Sequence, residues 1–121
     1  MTISSPITIT VNGNAKVLNK VKFDGYASEY SLSETLTRYT LKIRHGQLKP
    51  TKDGLVYDNH NVEFTKTTLA VPGVSPALDE VIYFTMKRLP TVTDVDCPAG
   101  LFALATASTN QFLKDLLQNQ S

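Results

Sequence analysis

The run Arg38-Tyr39-Thr40-Leu41-Lys42-Ile43-Arg44 alternates apolar and polar residues without interruption. Side chains of a strand point to opposite faces with a period of two. Tyr39, Leu41 and Ile43 therefore define one face, and Arg38, Thr40, Lys42 and Arg44 the other. The strand is predicted from Thr35 to about Gln47. Upstream, Pro6 to Val11 alternates apolar and hydroxyl residues, and Asn12-Gly13 separates it from a second run, Asn14 to Leu18. Asn-Gly between two such runs predicts a hairpin, because a type I′ turn needs positive φ at both central positions. A further strand fits Tyr26 to Leu32, with Tyr26, Ser28, Tyr30 and Leu32 on one side.

Lys49-Pro50-Thr51-Lys52-Asp53-Gly54 reads as a turn, with Pro50 breaking the ladder and Asp53-Gly54 reversing the chain. Alternation resumes from Val56 to Val71, with Val62 and Phe64 opposed to Asn61, Glu63, Thr65 and Thr67. Pro72-Gly73-Val74-Ser75-Pro76 is a loop. The last strand spans Glu80 to Leu89, with Ile82, Phe84 and Met86 on its apolar side and Val81, Tyr83, Thr85 and Lys87 on the other. After Pro90 the period changes to helical. Asp96 is placed to cap a helix carrying Leu101, Phe102, Leu104 and Ala105 on one stripe. Ser108 and Gln111 match a capping box for a second helix, with Phe112, Leu113, Leu116 and Leu117 on its apolar side. The two helices are separate, with a break near Ala107, or form one bent helix. Strands first and helices last predict an α+β fold: an N-terminal hairpin, an antiparallel meander of six or seven strands, and two short C-terminal helices.

At 121 residues the chain reads as one domain, residues 1–121, with a modest core. Charged residues are 19% and the formal net charge is +1, so affinity for a polyanion has to come from charge segregated onto one face. The apolar stretches are too short or interrupted to cross a bilayer, and Met1 to Pro6 lacks the segments of a signal peptide. Cys97 is the only cysteine, which excludes an intrachain disulfide and fits a reducing cytoplasm. Helices totalling about twenty residues span only about 30 Å and are too short to cover the sheet of their own subunit. An uncovered apolar face is an aggregation site, so a symmetric partner is expected to lay its helices across the sheet and extend it. The expectation is an interlocked homodimer with one continuous sheet.

Arg38, Thr40, Lys42 and Arg44, with Asn61, Thr65 and Thr67, then Tyr83, Thr85 and Lys87, would form a grid of cations, hydroxyls, an amide and one ring. Phosphates require Lys and Arg; exposed bases require hydroxyl or amide partners and a ring to stack on. A solvated strand face accounts for the same row, and Glu63 counts against the RNA reading. His45 and His60 have no second ligand at metal spacing and read as surface or loop residues. Asp94 and Asp96 read as helix-start residues, and Cys97 as a structural thiol. With no phosphate loop, nucleophile elbow or dinucleotide fingerprint, no enzyme, no cofactor and no metal is expected.

The order of elements resembles the coat proteins of single-stranded RNA bacteriophages, the levivirus-like group. The resemblance rests on the Asn12-Gly13 hairpin, the strand Arg38-x-Thr40-x-Lys42-x-Arg44, the Pro/Gly loop before the last strand, and Thr93-Asp94-Val95-Asp96-Cys97 leading into the helices. It implies dimers that assemble into an icosahedral shell, with the sheet facing a single-stranded RNA genome and the helices and hairpin outward. It also implies that an RNA hairpin binds the inner sheet face and represses translation. Arg38, Thr40, Lys42 and Arg44 match the RNA-facing strand of such proteins, and Thr65, Thr67, Tyr83, Thr85 and Lys87 match its neighbours. The loop from Ala70 to Leu78 resembles the one lining the shell's symmetry axes. The loop from Leu48 to Leu55 and the lack of tryptophan depart from the family's pattern. The resemblance implies a virion protein assembled in the bacterial cytoplasm. A dimeric RNA-binding regulator that forms no shell is the alternative, and an α+β enzyme or ligand-binding domain is the third.

Overall fold

The computed structural model describes residues 6–120; the segment before Pro6, including the start of the signal-peptide reading, lies outside the described residues. The chain divides into two compact units, a sheet ending at Pro90 and a helical unit beginning at Thr91. The sheet unit holds six antiparallel strands in chain order: β1 (Ile7–Val11), β2 (Asn14–Phe23), β3 (Ala27–Ser33), β4 (Thr37–Gln47), β5 (Asp58–Thr68) and β6 (Leu78–Arg88). β1 and β2 join through Asn12 at φ 51° and Gly13 at φ 76°, the two positive values that the Asn-Gly signal requires. β2 continues five residues past the predicted Leu18. The turn after β4 closes through Gly54, at φ +79°, whose N–H donates to the Thr51 carbonyl at 2.9 Å. The loop before β6 closes on itself, with the Val71 N–H bonded to the Ser75 carbonyl at 2.9 Å.

The register keeps the alternation of neighbouring strands in phase. Leu41 pairs with Tyr30 and Phe64, and Phe64 with Ile82, so one apolar face crosses four strands. Part of that face is covered within the chain. The sheet curls, and Leu18, Tyr30, Tyr39, Leu41 and Ile43 are buried within it, packed by Ile7, Ile9 and Val11 of β1 and by Leu32, Val62 and Phe64. Tyr39 and Phe64 stack with centroids 6.1 Å apart. Val62 and Phe64 of β5 are only half-buried on this face. The face is open on β6, where Leu78 is 60% and Ile82 57% exposed.

The helical unit carries one element, α1 (Asp96–Leu117), whose backbone leaves helical values from Ala107 to Asn110. Ser108, Thr109 and Asn110 are all left-handed, at φ 53°, 59° and 64°. A left-handed Ser108 cannot act as an N-cap, which requires extended backbone, and Gln111 instead donates forward to Asp115 at 2.8 Å. The predicted capping box is thus absent, although the break falls where it was expected. Asp96 is not the cap either. It is the first helical residue, and Asp94 Oδ1 accepts its N–H at 3.2 Å. Pro98 falls in the first turn, where its missing N–H costs nothing.

Two predictions follow from the sheet unit. Leu18→Ala empties a fully buried position and is expected to cost about 2–5 kcal/mol, read by urea unfolding; a loss below about 1 kcal/mol would show that Leu18 is not part of the core. The Lys16 ammonium donates to Glu34 at 2.8 Å. This hydrogen bond raises the Lys16 pKa above 10.5, opposed by desolvation and reinforced by the charges of Glu34 and Tyr39. A raised lysine pKa stabilises fully below the unfolded value and stops doing so as pH climbs through the folded value. Glu34→Gln should therefore lower the melting temperature at pH 8, and the gap to the parent should close above the lysine range. A gap of constant size from pH 8 to beyond the lysine range is the contrary result.

Candidate nucleic-acid interface

The polar face of the sheet is built by the same register. Arg38 pairs with Thr67, Thr40 with Thr65, Lys42 with Glu63 and Arg44 with Asn61. Asn61 in turn pairs with Thr85, Glu63 with Tyr83 and Asn59 with Lys87. Directly opposed residues of an antiparallel pair project to the same side. All ten candidates, Arg38, Thr40, Lys42, Arg44, Asn61, Thr65, Thr67, Tyr83, Thr85 and Lys87, therefore share one face across β4, β5 and β6. Arg38, Arg44, Tyr83, Thr85 and Lys87 are exposed, and the other five are half-buried.

The face extends further than sequence reasoning found. On β3, Glu29, Ser31 and Ser33 pair with Lys42, Thr40 and Arg38. On β2, Lys22 joins them through a bulge. Lys20 pairs with Tyr30, but Lys22 pairs with Glu29, leaving Val21 as the extra residue. The insertion flips the parity of the strand. Lys20 stays on the apolar side, its ammonium 5.5 Å from the Tyr30 ring centroid, while Lys22 moves to the polar side. No periodicity in the sequence announces that flip. The hydroxyls of β3 were readable, since they alternate with Tyr30 and Leu32.

Electrostatically the face is mixed. Lys22, Arg38, Lys42, Arg44 and Lys87 carry five positive charges against Glu29, Glu63 and Asp79. Arg44 Nη2 donates to Glu63 Oε2 at 3.1 Å, which diverts part of that guanidinium from any ligand. The Thr67 hydroxyl donates to Asp79 Oδ1 at 2.8 Å. The Lys87 ammonium sits 4.7 Å from the centroid of the Tyr57 ring. Tyr83 is 70% exposed, a ring with room for a stacked base. A cavity of about 480 Å³ opens at one end of the face, bordered by Lys22, Glu29, Lys42 and Arg44. Among the described residues no three His, Cys, Asp or Glu side chains converge as a metal set, and no helix is long and apolar enough to cross a membrane. His45 and His60, read as surface or loop residues, both lie within strands and meet each other across β4 and β5. Cys97 is exposed on the helical unit.

The chain is thus a curled six-stranded antiparallel sheet with a polar, partly basic face, followed in sequence by a helix. Comparison with known proteins gives the family. The family model for the phage phiCb5 coat protein matches residues 4–89. The chain belongs to that phage coat protein family, and it is a capsid protein of the virion, not an enzyme. Among solved structures it resembles the bacteriophage EMS014 coat protein, with 17% identity, a TM-score of 0.61, and coverage of 90% of this chain and 81% of that one. That likeness concerns the fold. No curated protein matches the chain.

Proposed function

We propose that this coat protein dimerises and assembles into an icosahedral shell around single-stranded RNA, with the polar sheet face turned to the RNA. The observation that carries the reading is the register, which brings all ten candidate residues to one side. Arg38, Lys42, Arg44 and Lys87 neutralise phosphates, Tyr83 offers a stacking surface, and Thr40, Asn61, Thr65, Thr67 and Thr85 hydrogen-bond sugars and bases. The phage is then of the single-stranded RNA, levivirus-like kind. The same face binds an RNA hairpin and thereby represses translation, and assembly takes place in the bacterial cytoplasm.

Two exposed apolar surfaces support the dimer. β6 is a terminal strand of eleven residues, and Leu78, Val81 and Ile82 on it are 48–60% exposed. A long, apolar open edge invites strand pairing with a second copy. α1 buries none of its residues, and Leu101, Phe102, Leu104, Leu113 and Leu116 are 44–61% exposed. Antiparallel β6–β6 pairing about a two-fold axis continues the sheet and sets the helices of each copy over the sheet of the other. Residues 1–121 then act as a single coat-protein domain.

Expression of the chain alone, followed by electron microscopy and sedimentation, tests the shell. Uniform particles filled with nucleic acid are expected. Soluble RNA-binding dimers that form no particles at any salt concentration would mark a regulator instead. Filter binding of dimers tests the face. Lys42→Ala and Arg44→Ala should each weaken RNA binding and lower the log–log salt slope by about 0.7. Glu63→Gln releases Arg44 and should strengthen binding by roughly 1.5- to 5-fold, the range of an exposed ion pair. Unchanged binding in all three variants would remove this face from the RNA site.

A further inference from the structure

His45 and His60 are fifteen positions apart in sequence and directly opposed across β4 and β5. Their Nδ1 atoms lie 2.9 Å apart, with ring centroids at 5.1 Å and planes inclined by 73°. Both rings border a cavity of about 590 Å³, with Tyr26, Gly46, Gln47 and Asp58 around it. This cavity is separate from the polar face: both histidines lie on the side of Ile43 and Val62. Two imidazole nitrogens at hydrogen-bond distance, open to a cavity of water size or larger, also have the spacing of two adjacent ligands on one metal ion.

We propose that His45 and His60 form a two-imidazole chelate for a divalent late transition-metal ion, Cu²⁺ above all. With metal–nitrogen bonds of about 2.0–2.1 Å, a separation of 2.9 Å corresponds to an N–M–N angle of about 90°. A tetrahedral ion with the same bonds requires about 3.3 Å, a difference that the soft χ2 torsions absorb. Cu²⁺ is favoured because it binds nitrogen sites most tightly in the divalent series. In the metal-free pair one Nδ1–H donates to the other Nδ1. On binding, that proton leaves Nδ1 for Nε2 through solvent, both Nδ1 lone pairs turn to the metal about the soft χ2 torsions, and both rings remain neutral. No third His, Cys, Asp or Glu among the described residues completes a set, so water fills the remaining positions. The ion then clamps the end of β4 to the start of β5.

The test is a titration of Cu²⁺ into the full-length protein, followed by electron paramagnetic resonance and thermal melting. One ion per chain with two-imidazole nitrogen hyperfine structure is expected, together with a rise in melting temperature as the ion is added. His45→Ala and His60→Ala should each weaken this site at least tenfold and abolish the melting shift. His45→Gln and His60→Gln keep the bulk and polarity of the position and should behave the same, with circular dichroism verifying the fold. A stoichiometric site retained in these variants, or no two-nitrogen site in the parent, would overturn the assignment. RNA binding reads a different face, so either proposal can fail without the other.

Discussion

The structure depends on one constraint: six antiparallel strands hold their alternation in phase. Because paired residues share a side, a shift of one position between β4 and β5 would send Leu41 and Phe64 to opposite faces and place a cation against the core. The observed register avoids this from β3 to β6, with Tyr30, Leu41, Phe64 and Ile82 in one row and Ser31, Thr40, Thr65 and Val81 in the next. The single slip, at Val21, comes near the end of β2. There it separates Lys20, which lies over aromatic rings, from Lys22, which joins the polar side.

Curling lets the sheet unit hold a core of its own. Ile7, Ile9 and Val11 of β1 pack against it, and five side chains reach near-complete burial. Leu78, Val81 and Ile82 of β6 remain largely exposed, as do most apolar residues of α1. Each such surface is a cost for an isolated chain and a driving force for association, since apolar area removed from water contributes roughly 25 cal/mol per Å². A coat protein uses that imbalance: a subunit that satisfied all its apolar surface alone would have little reason to assemble.

The polar face shows the opposite economy. Three carboxylates stand among five cations, and one guanidinium is already engaged by Glu63. In the RNA-binding role proposed above, such a surface would hold a phosphate backbone less strongly than an all-cationic groove, and salt would screen it. Hydroxyls and the exposed Tyr83 ring would add contacts that salt does not screen.

Most strands were legible because alternation and turn chemistry are local. Asn12-Gly13 needed no tertiary knowledge, since that pair accepts two positive φ values cheaply. The ten polar-face residues were legible for the same reason, once each strand's parity was read. The helix caps were not: Asp94 rather than Asp96 holds the first turn, and Ser108 is left-handed, because caps depend on backbone angles that composition does not specify. The Val21 bulge and the meeting of His45 with His60 were also hidden, as both are facts of pairing between strands. The sequence by itself determined which residues alternate and where the chain must turn, because those are properties of adjacent residues. The register, the curl that closes the core, and the residues brought face to face were decided only in three dimensions, where distant segments compete for the same space.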